Sequence, residues 1–429
     1  MKLPKNNKHN LIPIVTSMVV PDGTLFEMLH DISKQQTRLL RWHDGQIDIE
    51  DSFEDQNGIK LEPYSPYNPL LSKKLILFPK EPTEYRSKEE LLADVQDFIH
   101  RYVDLPDTFE LIAAYYVLLT WLFDKFNEIP YLRVRGDYGS GKTRFLQTVG
   151  SICYKPIFAS GASTVAPLFH NLNQIGGTLI LDEGDFRFSD EKADIAKILN
   201  NGNAKGFPVL RCEKINQREF APVAYDVFGP KVVSSRNDYD DKALESRFIC
   251  EDVGLKKVRK KIPITLPDSF HEEALELRNR LLLWRLENFS KVERIDASIN
   301  RGIHLRLNQI YAPLLTLVSN QSHRRKIVSF ARTQHLQNTV DAGRSVEADI
   351  LEIIKIISIK SDQPASISEI TKLFVQTYGV EYDRKITHRF VGSVIRKKLR
   401  LKTRKSNGLY ILSENQKDKL KYLFEKYGL

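Results

Sequence analysis

The segment Gly136-Asp137-Tyr138-Gly139-Ser140-Gly141-Lys142-Thr143 constrains this chain more than any other. It follows the short apolar run Tyr131 to Val134 and precedes the helical run Arg144 to Cys153. The pattern G-x-x-x-x-G-K-T therefore lies in a strand, loop, helix context. Glycines there let backbone N–H groups close around phosphate oxygens at a helix N-terminus, Lys142 neutralises β and γ oxygens, and Thr143 ligates magnesium. Gly136, Gly139, Ser140, Gly141, Lys142 and Thr143 are the expected nucleotide-binding residues, with ATP and Mg2+ as ligands.

Thr178-Leu179-Ile180-Leu181-Asp182-Glu183 supplies the second half, an apolar strand ending in two carboxylates. Asp182 is placed to hold the magnesium shell with Thr143, and Glu183 to polarise the attacking water. Hydrolysis is thus expected, beyond nucleotide binding. Further apolar runs at Pro156 to Ala159, Lys231 to Ser234 and Phe248 to Glu251 alternate with longer spacers, which predicts an α/β fold with a covered parallel sheet. The Lys231 strand runs into Ser235-Arg236-Asn237, where a γ-phosphate sensor belongs. The pattern leaves the three open, and Asn237 is carried as a nucleotide-binding candidate.

After that strand comes Lys242-Ala243-Leu244-Glu245-Ser246-Arg247-Phe248. Together with the two nucleotide motifs and the sensor strand, these residues resemble the AAA+ ATPases over about Tyr131 to Ser319. The resemblance implies a P-loop motor with a helical lid. It also implies that Arg247 is an arginine finger reaching the γ-phosphate of a neighbouring subunit, so that the chain forms a ring, a hexamer. Arg306, in the later helix His304 to Leu317, is the candidate for the second sensor that lids of this class supply.

Phe207 to Glu213 and Phe220 to Val227 read as a β-hairpin joined by Lys214-Ile215-Asn216-Gln217-Arg218. Its position resembles the pore hairpin of minichromosome-maintenance-type and superfamily III helicases. Lys214 and Arg218 would then present charge to single-stranded DNA in a channel.

Charge gains meaning when it is located. From Arg384 to Lys405 the chain carries ten Lys and Arg and no acid, more than its whole excess of +9, so the remainder sums to −1. An excess so confined marks a polyanion-binding module. Glu347 to Lys360, Ser366 to Tyr378 and Thr387 to Lys398 read as three helices, and a hairpin turning at Asn407-Gly408 follows. The order resembles a winged helix. It would bring Arg389, Arg396 and Lys397 to a duplex groove and Lys402, Arg404 and Lys405 to its phosphates.

Other classes drop out. The longest apolar run, Leu111 to Phe123, is shorter than the roughly twenty residues of a membrane span. Pro13 breaks the run that follows the N-terminal lysines, so no signal peptide is expected. Cys153, Cys212 and Cys250 form no C-x-x-C pair, and a reducing cytoplasm fits. No clustered carboxylates or zinc ligands outside the motor support a primase.

Six regions are expected. They are a β-rich module (1–80), a helical lead-in (81–130), the AAA+ core (131–255), a lid (256–320), a linker (321–344) and the winged helix (345–429). Combined, they resemble self-loading replicative helicases of mobile genetic elements. A DNA-dependent ATPase that loads or remodels a partner, and a nucleotide-switched DNA-binding regulator, are the alternatives.

Overall fold

A computed structural model describes residues 13–55, 57–160, 165–182, 190–214, 220–239, 241–292, 303, 305–343, 345–360, 363–378, 386–406 and 408–429. The chain divides into two compact units, Met1–Val328 and Ser329–Leu429.

The first unit opens with an antiparallel sheet of β1 (Ser17–Val19), β2 (Leu25–Asp31), β3 (Gln36–His43) and β4 (Gln46–Glu50), in that order. β3 and β4 form a hairpin. Asp44 and Gly45 turn it at φ of 45° and 88°, the left-handed region that an Asp-Gly pair suits. A small ladder of β5 (Phe53–Glu54) and β6 (Lys60–Leu61) follows, then α1 (Pro69–Ser72). α2 (Lys88–Tyr102) begins where Ser87 Oγ accepts the Glu90 N–H at 3.1 Å. α3 (Asp107–Trp121) is buried almost all round, which is why its sequence shows no polar face. Among the described residues no helix is long and apolar enough to cross a membrane.

The chain then lays down β7 (Tyr131–Arg135), α4 (Lys142–Gly150), β8 (Pro156–Ser160), α5 (Val165–Ile175), β9 (Thr178–Asp182) and α6 (Asp190–Asn201). After the antiparallel pair β10 (Val209–Lys214) and β11 (Phe220–Tyr225) come β12 (Lys231–Ser235), α7 (Lys242–Glu245) and β13 (Phe248–Asp252). The five apolar runs expected to form a parallel sheet do so, in the order β13-β7-β12-β9-β8. Parallel strands covered on both faces lose the in-out alternation, and β12 is accordingly buried at every position. α8 (Ser269–Asn288), α9 (Leu305–Thr316) and α10 (Gln321–Gly343) follow. The polar stretch expected to be a linker is thus mostly helix, because it holds no Pro, and no Gly before Gly343, to stop one.

Residues of the N-terminal sheet and of the parallel sheet share one core. Phe26, Met28 and Leu39 cluster with Tyr131, Leu179 and Val233. A buried ionic network reinforces the join. Arg285 of α8 donates to Glu27 of β2 at 2.7 Å and to Asp124 at 2.6 Å, and the Tyr154 hydroxyl donates to Glu27 at 2.8 Å. Lys155, 1% exposed, donates to Ser17 Oγ at 2.7 Å. At the sheet's outer edge Leu75 and Leu77 flank the bridge Ile76–Ile157, and the Phe158 N–H donates to the Leu75 carbonyl at 2.9 Å.

The second unit holds α11 (Val346–Lys360), α12 (Ile367–Tyr378) and α13 (His388–Ser393), which runs on as a π-helical turn, Val394–Lys398. The hairpin of β14 (Thr403–Ser406) and β15 (Leu409–Leu412) and then α14 (Lys417–Tyr427) complete it. Ser366 Oγ accepts the Glu369 N–H at 3.0 Å, as a capping box requires. Ile350, Ile354, Ile370, Phe374, Val391 and Ile395 form its core.

Candidate nucleotide and nucleic-acid site

β7 ends at Arg135, and the glycine-rich loop turns directly off it into α4. A Cβ on Gly136 would lie 2.6 Å from both Ser140 Oγ and the Val253 carbonyl, so only glycine fits there. Gly139 and Gly141 sit at φ of 74° and 90°, where an L side chain is strained. Gly141 caps α4 in that left-handed conformation and leaves the first N–H groups of the helix facing outward. Lys142 is the first residue of α4, and its ammonium lies 2.6 Å from the Gly136 carbonyl and 2.8 Å from that of Asp137. Loop residues 138–144, with Asp182 and Arg236, line a cleft of about 400 Å³.

Strand order decides what meets the loop. β12 lies between β7 and β9, so the ends of all three strands converge. Asp182, the last residue of β9, accepts from Thr143 Oγ1 at 2.9 Å and from Ser234 Oγ at 2.6 Å. Of the three sensor candidates, Arg236 lines the cleft, Ser235 is buried and donates to the Asn237 carbonyl at 3.0 Å, and Asn237 is exposed outside the lining. Glu183 lies outside the described residues.

Arg247 lies at the far end of the sheet. Its carbonyl accepts the N–H of Tyr131, the first residue of β7, whereas the glycine-rich loop leaves the last. Its guanidinium donates to Asn203 Oδ1 at 2.8 Å and to the Ala243 carbonyl. Burial, and next the like charge of Arg306, hold Arg247 below its ordinary pKa. Arg306 lies 3.9 Å from Glu128. Neither arginine lines the cleft of its own chain.

The β10–β11 ladder runs to the pair Lys214–Phe220. Arg218 and the Lys214 side chain lie outside the described residues. In the second unit Arg389, Arg396, Lys397, Lys402, Arg404 and Lys405 are all exposed. The Arg396 guanidinium stands 5.9 Å from the Tyr410 ring centroid.

The donor set fits a nucleoside triphosphate with a divalent cation. Phosphates need the backbone cradle and the lysine, and magnesium is ordinarily held by a hydroxyl and one or two carboxylates together with phosphate oxygens and water. Sequence reasoning missed Ser234 and the approach of Gly254. Gly254 sits at φ 82°, and a Cβ there would lie 2.4 Å from Ser140 Cβ. A glycine two residues past the last strand was the available signal.

No family model and no curated protein matches the chain. Among solved structures it is similar to Cch of SCCmec type IV, titled an active helicase, at 13% identity over 97% of this chain and 80% of that one, with a TM-score of 0.42. It is also similar to the apo NrS-1 C-terminal region (305–718), at 11% identity over 90% and 95%, with a TM-score of 0.37. The JCV helicase shares 15% identity over 59% and 62%, with a TM-score of 0.24.

Proposed function

We propose that the chain is an AAA+ ATP hydrolase that translocates on DNA and unwinds it, acting as a hexameric replication helicase of a mobile genetic element. The observation that carries the reading is the junction at Asp182, where β12 delivers Ser234 and α4 delivers Thr143 to one carboxylate beside Lys142. That carboxylate and the Thr143 hydroxyl are the protein's share of a magnesium site, and bound magnesium would supply positive charge at the β and γ oxygens. The loop's N–H groups and Lys142 hold the same oxygens. Glu183, next in the chain, orients the attacking water.

Arg247 acts across a subunit interface in this reading, and its distance from its own cleft is compatible with that. Arg306 belongs to the same interface in this reading. The hairpin residues Lys214 and Arg218 grip single-stranded DNA, and the second unit acts as a winged helix on duplex through its exposed cations. The test is strand displacement on a forked duplex. Unwinding is expected with ATP and not with a non-hydrolysable analogue. Failure to unwind several fork designs by an assembled, ATP-hydrolysing protein would turn the reading toward a loader or remodeller.

A further inference from the structure

Between β13 and α8 runs an irregular segment with no Asp or Glu from Val253 to Pro267. It carries Lys256, Lys257, Arg259, Lys260 and Lys261. Its course is fixed at three points. At the first, the Val253 N–H donates to the Arg135 carbonyl at 2.7 Å, and Gly254 is pressed against Ser140 of the glycine-rich loop. At the second, Arg259 is consumed internally, donating to Asp104 at 2.7 Å and to the Val103 carbonyl at 2.9 Å. At the third, the carbonyls of Pro263 and Ile264 accept from Arg144 of α4 at 3.0 and 2.8 Å.

What remains is a ridge of four exposed lysines, 256, 257, 260 and 261, with no ion pair to any described residue. Leu255, Val258 and Ile264 beside them are 80%, 60% and 97% exposed. Four like charges within six residues repel, and the segment that carries them is nonetheless tied to the rest of the unit at three points. Two of the three anchors lie on the glycine-rich loop and the helix it feeds.

We propose that this strap is a second nucleic-acid contact, located in the first unit, whose four lysines bind backbone phosphates while the exposed aliphatic side chains lie against sugars and bases. Because the strap is seated on Ser140 and Arg144, nucleic acid bound to it favours one arrangement of the glycine-rich loop, and nucleotide in the cleft alters nucleic-acid affinity by the same factor. This coupling rests on the nucleotide reading of the cleft. The binding does not.

The test uses the full chain with Lys256→Gln, Lys257→Gln, Lys260→Gln and Lys261→Gln together, all four positions being exposed and outside the cleft. Binding of a fluorescent single-stranded oligonucleotide is followed by anisotropy across a salt series. Each lost phosphate contact lowers the slope of log K against log salt by about 0.7, so a drop of about 2 to 3 is expected. The drop should persist in a background that also lacks Arg396, Lys397 and Lys398. Basal ATP turnover should hold while its stimulation by DNA falls at least severalfold. An unchanged slope in a variant that melts at the wild-type temperature overturns the proposal. So does loss of binding to phosphatidylserine vesicles with DNA binding intact, which would make the ridge a membrane contact. If the wild type hydrolyses no ATP, the nucleotide reading has failed, yet the salt slope still decides the strap.

Discussion

Ser234 Oγ donates a hydrogen bond to Asp182 Oδ1 at 2.6 Å, joining β12 to β9 at the ends of both strands. Thr143 occupies the other oxygen, so the carboxylate is oriented from two directions before any cation arrives. Partners that orient a metal ligand typically matter by about 10–100-fold in metal affinity. Ser234→Ala should therefore raise the magnesium concentration for half-maximal ATPase at least several-fold while nucleotide affinity without magnesium stays near wild type. Titration of turnover against magnesium checks this, and an unchanged midpoint would assign Ser234 a packing role.

The proposed mechanism gives Lys142 and Glu183 separable jobs, phosphate binding and orientation of water. Lys142→Ala should weaken nucleotide binding, whereas Glu183→Gln should bind normally and lose about 10²–10⁴-fold in turnover. A fluorescent nucleotide titration beside a phosphate-release assay distinguishes the two. Wild-type hydrolysis by Glu183→Gln would remove that residue from the mechanism.

The proposed role of Arg247 is tested between chains. Mixing Arg247→Ala with Lys142→Ala subunits should restore part of the ATPase activity, since some interfaces then pair an intact loop with an intact finger. Activity is measured against mixing ratio, with mixed assembly confirmed by mass. No recovery at any ratio would count against action in trans.

Duplex anchoring and strand gripping should come apart by mutation. Removing Arg396, Lys397 and Lys398 should weaken duplex binding and flatten its salt dependence while ATP turnover without DNA survives. Removing Lys214 and Arg218 should abolish unwinding with duplex binding nearly intact. Wild-type unwinding after the second change would sink the pore assignment.

Lys155 gives the fold a pH signature. Burial pushes its ammonium down to about 8, with Glu27 raising it, Arg285 lowering it and Asp124 raising it. Between about 8 and the ordinary lysine value near 10.4 the unfolded chain binds a proton that the folded chain lacks, so this residue makes stability rise with pH across that window. Below about 8 both states are protonated and its contribution is flat. Lys155→Met should remove the rise, seen as the difference between wild-type and variant unfolding free energies in urea at pH 7.5 and 9.5. Parallel curves would show that the ammonium titrates alike in both states.

The sequence displayed what local chemistry encodes. Each parallel strand is a short apolar run, the Asp44-Gly45 turn needs only its own two residues, and the glycine-rich loop carries its requirements in eight. What stayed hidden depends on partners distant in the chain. β2 is buried throughout although it holds Glu27, His30 and Asp31; nothing nearby hints that Arg285 will neutralise Glu27. Ser234 looked like the end of a strand because Asp182, which gives it a role, stands on another. The lysines at 256–261 escaped notice for an arithmetic reason, since acids elsewhere cancel them in the balance outside residues 384–405. Helix α10 was obscured by polarity, which resembles a linker when only hydrophobic spacing is weighed.

Leu75 to Leu77 lie along β8 and take up backbone groups of Pro156 and Phe158 that a bare edge would present to solvent. An uncovered edge of that kind invites a strand from another molecule and, with it, open-ended polymerisation. With this side of the sheet closed by its own chain, neighbouring copies that meet here must recognise one another by side chains. Such contacts have a fixed geometry and can close on themselves, whereas a ladder of backbone bonds would go on adding strands.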